Sequence, residues 1–308
     1  MQATGIKQPN YSHFMVKNTN IFLPTEEAIH TGGFDLDSPY GVSEPTPTSQ
    51  NSRVIGDRQL GLYLYHANCL ELMELIAEKH PQGCFDMIFA DPPYFLSNGG
   101  ITCQNGRMVS VNKGAWDKSQ GIDINHAFNI EWLKRCQRVL KPNGTIWVSG
   151  TMHIIYSIGL AMQQLGFKML NDIIWEKPNP PPNLACRYFT HSTETVLWAA
   201  KSTKSKHCFN YDAMRAESGG KQMKSVWRIK PPATNEKAFG KHPTQKPIEL
   251  LKRCIEASTN TGDFVLDPFA GSSTTGVAAL ALKRRFCGIE SDRDFIELSV
   301  KRLTQQQQ

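Results

Sequence analysis

From Gly61 onward the chain alternates short apolar runs with longer segments of helical spacing. FDMIFA (85–90) lies between Gly83 and Asp91-Pro92-Pro93, and TIWVSG (145–150) follows the turn Lys141-Pro142-Asn143-Gly144. DFVLD (263–267) and FCGIE (286–290) bracket a Gly-rich turn and a run of small residues. Near-continuous apolar strands are buried on both faces, and strands interleaved with helices build a parallel sheet covered on two sides. Further strands are expected at 61–66, 171–177 and 194–200. Helices are expected at 69–79, 126–139, 155–166 (closed by a Gly C-cap), from Pro247 as the N1 residue, and from Asp292. The expected fold class is α/β, a mostly parallel, doubly wound sheet.

The segments outside this pattern set the domain boundaries. Residues 1–52 are clustered Pro, Thr, Ser, Asn and Gly without period, and read as a flexible extension. Residues 53–308 form the expected catalytic domain. Within it, 201–241 is basic and irregular, with Gly219-Gly220 and Pro231-Pro232. The 40 % apolar and 20 % charged composition of the 308 residues is that of a globular protein. No apolar run reaches the ~20 residues that span a bilayer, so no membrane partner is expected. The N-terminus lacks the basic-then-apolar signal pattern, and a cytoplasmic location is expected. The eight cysteines include no C-x₂₋₄-C pair, so neither a metal site nor a disulfide framework is expected.

Two clusters carry chemistry. Asp91-Pro92-Pro93-Tyr94 follows a buried strand, at the strand end where ligand sites of open α/β sheets lie. The prolines stiffen the backbone. The Asp91 carboxylate and the Pro92 carbonyl can each accept one N–H of a planar amino group, while Tyr94 stacks on its heterocycle. A rigid turn with a solvated Asp is the plainer reading of D-P-P alone. The second cluster, Asp267-Pro268-Phe269-Ala270-Gly271-Ser272-Ser273-Thr274-Thr275-Gly276, again follows a strand and opens a helix. Its glycines let a ligand approach the backbone, and the helix N-terminus suits an anion. About twenty residues on, Glu290 ends the next strand, where a carboxylate suits a ribose diol. Strict G-x-G-x-x-G is absent, and so is the Gly-Lys-Ser/Thr of a P-loop.

D-P-P-Y followed downstream by D-P-F-x-G-S-x-T-T-G resembles the S-adenosylmethionine-dependent amino-methyltransferases of DNA. The catalytic tetrapeptide precedes the cofactor loop, which is the β-class permutation. KPNGTIWVSGT (141–151), RYFTHSTETVLWAAK (187–201) and GKHPTQKPIELLKR (240–253) also look like family segments, and DPPYFLSNGGITC, WEKPNPPPNLACRYFTHSTETVLWA and GKQMKSVW especially resemble the DpnA- and MboII-type adenine-N6 enzymes of restriction–modification systems. The match runs from about residue 60 to 303. It implies a circularly permuted Rossmann-like methyltransferase fold, with Asp91, Pro92 and Tyr94 binding a flipped base. It further implies that Asp267, Phe269, Ala270, Gly271 and Ser272 hold the methionine part of the cofactor, and that Glu290 takes the ribose hydroxyls. His242, Thr244 and Lys246 would lie near the cofactor carboxylate, and Asn68-Cys69 near its adenine. Asn68 stands where Asp is frequent in the family, and Ser273 where a second Gly is usual; Ser273 is tolerable where its φ is negative.

The resemblance implies DNA as substrate and a cognate restriction endonuclease acting on the same site, with a homodimer as one of the open oligomeric states. The formal charge of +6 is mild on average but concentrated in 201–241, which is expected to be a target-recognition insert. Lys221, Lys224, Arg228 and Lys230 are its expected DNA contacts, and an ordinary solvated basic loop is the alternative. The loop Leu96 to Gln120 is expected to be mobile without DNA and to close over the base. D-P-P-Y favours adenine N6. Cytosine N4 in DNA, adenine in RNA, and a non-catalytic DNA-binding subunit of the same fold stay open. The recognition sequence is open between GATC and GAAGA.

Overall fold

The computed structural model of the protein describes residues 51–96, 119–240 and 242–305, and the backbone of two strands at 101–104 and 107–110. The elements in chain order are β1 (Ser52–Asp57), β2 (Leu62–His66), α1 (Cys69–Lys79), β3 (Phe85–Ala90), β4 (Ile101–Gln104), β5 (Arg107–Ser110), α2 (Ile122–Val139), β6 (Leu140–Gly150) and α3 (Ile155–Gln164). They continue as β7 (Lys168–Glu176), β8 (Thr193–Ala200), α4 (Tyr211–Glu217), β9 (Val226–Arg228), α5 (Ile248–Ser258), β10 (Phe264–Asp267), α6 (Thr274–Ala281), β11 (Arg285–Glu290) and α7 (Arg293–Gln305).

Nine strands form one sheet in the order β1-β2-β11-β10-β3-β6-β8-β7-β9. The run β2-β11-β10-β3-β6 is parallel throughout. β1 and β8 run against their neighbours, and β9 lies parallel to β7. The last two strands in sequence therefore sit in the middle, between β2 and β3. That insertion lines up the carboxyl ends of β3, β10 and β11, which carry Asp91, Asp267 and Glu290.

Both faces are covered, which is why β3 is apolar at nearly every position. Met87 and Phe89 enter a core shared with Leu250 and Leu251 of α5, Val277 of α6 and Leu303 of α7. Their neighbours Ile88 and Ala90 are equally buried and face the opposite side by strand alternation. Asp86 ties the base of the sheet, with its carboxylate accepting from Lys141 Nζ at 2.8 Å and from the Phe264 amide at 2.9 Å.

Local chemistry sets the ends of the elements. Asn68 caps α1, with its Oδ1 accepting the Leu70 amide at 2.9 Å. α3 ends before Gly166 (φ 77°), whose neighbour Phe167 donates back to the Met162 carbonyl, the expected Gly closure. Pro247 stands one place earlier than expected, as the residue preceding α5.

Two segments add to the sequence expectation. Residues 1–50 lie outside the described residues, but Asn51 and Ser52, assigned to the extension, belong to the domain. Asn51 hydrogen-bonds Glu71 and the Asn68 amide, and Ser52 begins β1. The segment expected as an insert within the domain, as far as residue 240, contributes a strand and core residues. β9 pairs with β7, and Met214, Trp227 and Ile229 are buried in the main core. Its many basic residues obscured a helix and a strand too short to show a period. Of the loop 96–120, the backbone of an antiparallel β4–β5 hairpin is described; the expected mobility and closure, and Trp116, lie outside the described residues.

Candidate active site

The carboxyl ends of β3, β10 and β11 open into one cleft of about 280 Å³. It is lined by Asn68, Cys69, Asp91, Pro92, Tyr94, His242, Thr244, Lys246, Asp267, Phe269, Ala270, Gly271, Ser272 and Glu290. All fourteen residues expected at the catalytic and cofactor positions thus meet there, together with Phe128 and Phe295, which no motif singled out. Lys221, Lys224, Arg228 and Lys230 do not line the cleft; all four are exposed on the far edge of the sheet.

One end of the cleft is built on Asp267. This buried carboxylate accepts from the Phe269 amide at 3.0 Å and from Thr275 Oγ1 at 2.5 Å. Burial pushes its carboxyl up to about 7, against the pull of those two donors. The chain then turns so that the Gly271 amide donates to Glu290 Oε2 at 2.7 Å, while the Ser291 and Asp292 amides donate to Oε1 at 2.8 Å. Gly271 is required: its φ is 51°, and a Cβ there would stand 2.9 Å from His242 Nε2. The His242 ring lies against Phe295 at 4.2 Å.

Ser273 departs from the condition set for it. Its φ is 54°, in the left-handed region that disfavours any side chain. Side-chain bonds hold it there: Ser273 Oγ donates to Ser299 Oγ at 2.9 Å, which donates to the Gly271 carbonyl at 2.7 Å. Arg302 of α7, buried and outside every motif, completes the brace. Its Nη1 donates to the Ser272 carbonyl (2.6 Å), Ser272 Oγ (2.8 Å) and Thr274 Oγ1 (2.8 Å), which puts a guanidinium beside the start of α6. A cation there adds to the helix-terminus preference for an anion. Its position at the end of a helix of ordinary amphipathic pattern gave no sequence signal.

The other end is built on Asp91. Tyr94 Oη donates to Asp91 Oδ1 at 2.7 Å, and Lys246 Nζ donates to Oδ2 at 2.5 Å. Lys246, expected with His242 and Thr244 at a cofactor carboxylate, lines the same cleft and is the counter-ion of Asp91. It stands two residues before α5. Tyr94 is not presented as an open stacking face. It is 5 % exposed, with its hydroxyl also 3.1 Å from Lys246 Nζ and 3.4 Å from Glu194 Oε2. Glu194, at the start of β8, and Lys177, just after β7, form an ion pair that extends the network. Burial pushes the Asp91 carboxyl up, with the Lys246 ammonium pulling against it. Burial would also raise Glu194, yet Lys246 and Lys177 outweigh it and hold that carboxyl below its ordinary value. Among the described residues no group of three or more His, Cys, Asp or Glu is arranged to hold a metal ion.

Comparison with known proteins agrees with this geometry. A family model described as a DNA methylase, covering N6 and N4 enzymes, matches residues 85–301. The Type II methyltransferase M2.LlaDCHI of Lactococcus lactis subsp. cremoris is 54 % identical over 241 residues, 78 % of this chain and 88 % of the relative. The Type II methyltransferase M2.DpnII of Streptococcus pneumoniae is 54 % identical over 234 residues, 76 % of this chain and 87 % of the relative. Among solved structures, an M1.HpyAVI–SAM complex is 31 % identical with a TM-score of 0.61, covering 79 % of this chain and 98 % of that one. The cytosine-N4-specific PvuII DNA methyltransferase shares the fold at 19 % identity and a TM-score of 0.62, covering 78 % of this chain and 86 % of that one. With the match covering well over half of its length, and the strand ends carrying the site in the matched region, the chain belongs to the N6/N4 DNA methylase family.

Proposed function

We propose that the protein is a site-specific DNA methyltransferase that moves a methyl group from S-adenosylmethionine to N6 of an adenine extruded from the duplex. It would act in the cytoplasm as the modification enzyme of a restriction–modification system, protecting sites that a cognate endonuclease cuts. The observation that carries this reading is the single cleft joining Asp91-Pro92-Pro93-Tyr94 to Asp267 and Glu290.

The cofactor end fits its ligand by the chemistry of its donors and acceptors. Asp267 is an acceptor for an ammonium, Arg302 and the start of α6 favour a carboxylate, and Glu290, fixed by three amides, keeps lone pairs for a diol. Phe269 and Phe295 supply apolar walls. When bound, S-adenosylmethionine supplies an electrophilic methyl on a sulfonium, an excellent leaving group.

The chain's own residues then have to position the amine. Extrusion costs a few kcal/mol of stacking and pairing. Asp91 and the Pro92 carbonyl accept the two amino hydrogens, which turns the nitrogen lone pair toward the methyl and keeps it from delocalising into the ring. Tyr94 forms the aromatic wall. Catalysis is mainly orientation, so no strong base is needed before transfer.

The test is incubation of unmethylated DNA with methyl-labelled S-adenosylmethionine, followed by digestion to nucleosides. N6-methyladenine is expected, and N4-methylcytosine would move the assignment to the cytosine class. Asp91→Ala is expected to reduce turnover by about 10² or more, the scale of removing one positioned polar contact. Wild-type turnover in that variant would overturn the reading.

A further inference from the structure

In this structure both oxygens of Asp91 are already engaged by donors of its own chain. Tyr94 Oη takes Oδ1, and the Lys246 ammonium takes Oδ2. An incoming amino group needs the same carboxylate and competes there with the donors already on it. Lys246 is the charged one, and its side chain is only 6 % exposed. A buried ammonium stripped of its partner costs several kcal/mol, so it cannot be abandoned without a second anion.

That anion is present. Glu194 Oε2 lies 3.7 Å from Lys246 Nζ, and its side chain is 11 % exposed. Its other oxygen, Oε1, is held by Lys177, so the carboxylate is fixed in place. The four groups alternate in charge from Asp91 through Lys246 and Glu194 to Lys177. Moving the ammonium from Asp91 to Glu194 only requires closing the 3.7 Å gap to hydrogen-bonding distance. It leaves the set of four neutral, with the Asp91 carboxylate held by Tyr94 Oη and the entering amino group.

We propose that Lys246 plugs the seat of the target amine in the resting enzyme, and that Glu194 is the positioning residue that receives its ammonium when the base enters. The ion pair with Asp91 keeps the seat ionised while empty, and Glu194 lets it open. No covalent bond changes; one salt bridge is exchanged for another. This inference rests on the reading of the cleft as an amino-methyltransferase site.

The experiment compares wild type, Glu194→Gln, Glu194→Asp, Lys246→Met and the double variant E194Q/K246M on one duplex that carries both GATC and GAAGA, with 2-aminopurine beside the target adenine as the reporter of extrusion. In E194Q the ammonium has only a neutral acceptor to move to and stays on Asp91. The KM for DNA is expected to rise about tenfold with a weaker extrusion signal, while the dissociation constant for S-adenosylmethionine, measured by calorimetry, is unchanged. Glu194→Asp restores part of the loss. Adding K246M to E194Q removes the plug and lowers the KM below that of E194Q alone. K246M by itself moves the acidic limb of the pH–rate profile upward, because Asp91 has lost its counter-ion.

A purely structural Glu194 gives a different pattern. E194Q would then weaken cofactor binding and DNA binding together, and K246M would deepen the defect; either result overturns the proposal. So does a wild-type KM in E194Q. Absence of wild-type turnover both on this duplex and on unmethylated genomic DNA overturns the transferase reading itself, whereas full wild-type turnover with an indifferent E194Q overturns only the plug.

Discussion

At the scale of single residues, two positions of the cofactor loop decide how the site behaves. Asp267 is ionised only above about 7, because burial outweighs its two hydrogen bonds. If its carboxylate holds a ligand ammonium, the protonated form cannot. Affinity for S-adenosylmethionine should therefore fall as pH drops through 7, by up to about tenfold per pH unit, and level off above it. Calorimetry across that range checks the slope, and Asp267→Asn should flatten it. Ser273 makes a different trade. Its left-handed backbone costs about 1–2 kcal/mol for a residue with a Cβ, while its hydroxyl contributes about 1 kcal/mol. Ser273→Ala keeps the strain and loses the bond, so its melting temperature should drop. Ser273→Gly relieves the strain as it loses the bond and should melt close to wild type. Equal melting of the two variants would show that the backbone stores no strain there. The motif alone could not reveal this, since it fixes which residue stands in the turn and not the sign of φ.

At the scale of elements, legibility followed burial. β3, β10 and β11 are buried over most of their length, so each reads as a near-continuous apolar run, and α1 carries its cap in Asn68. β9 has three residues, of which only Trp227 is buried, and no pattern that short is readable. Trp227 nevertheless joins 201–241 to the core. It packs against Trp147 at 6.1 Å and lies under the Arg253 guanidinium at 5.2 Å, and its Nε1 donates to the Lys224 carbonyl. Trp227→Ala should cost about 3–5 kcal/mol in denaturant unfolding. A cost below 1 kcal/mol would mean the segment is peripheral after all. The partners of Asp91 were hidden for a related reason. Lys246 and Glu194 are 52 residues apart in the chain, and only the pairing of β6 with β8 brings the latter beside Tyr94.

At the scale of the whole molecule, charge is divided from chemistry. The cleft gathers buried, mutually compensating charges, whereas Lys221, Lys224, Arg228 and Lys230 stand exposed on the edge near β9. Lys201, by contrast, is turned inward to the Leu140 carbonyl at 2.5 Å, and burial lowers its amine. If the exposed set meets phosphates, K221A/K224A/K230A should reduce the slope of log binding constant against log salt by roughly 2–3, near 0.9 per lost contact. Affinity for S-adenosylmethionine should not move. An unchanged salt slope would leave these lysines as a solvated face.

The central position of β10 and β11 also bears on how the protein comes into being. Synthesis delivers β2, β3 and β6 first, but β2 and β3 are not neighbours in the finished sheet. The gap between them is filled only by strands that leave the ribosome some 175 residues after β3, by subtraction of Ala90 from Phe264. Asp91 is thus made early and has no cofactor cleft to face until Glu290 has emerged. The brace from Ser299 and Arg302 comes later still. A nascent chain stalled before that point carries the tetrapeptide without a site, and modification activity switches on only as the last helix docks.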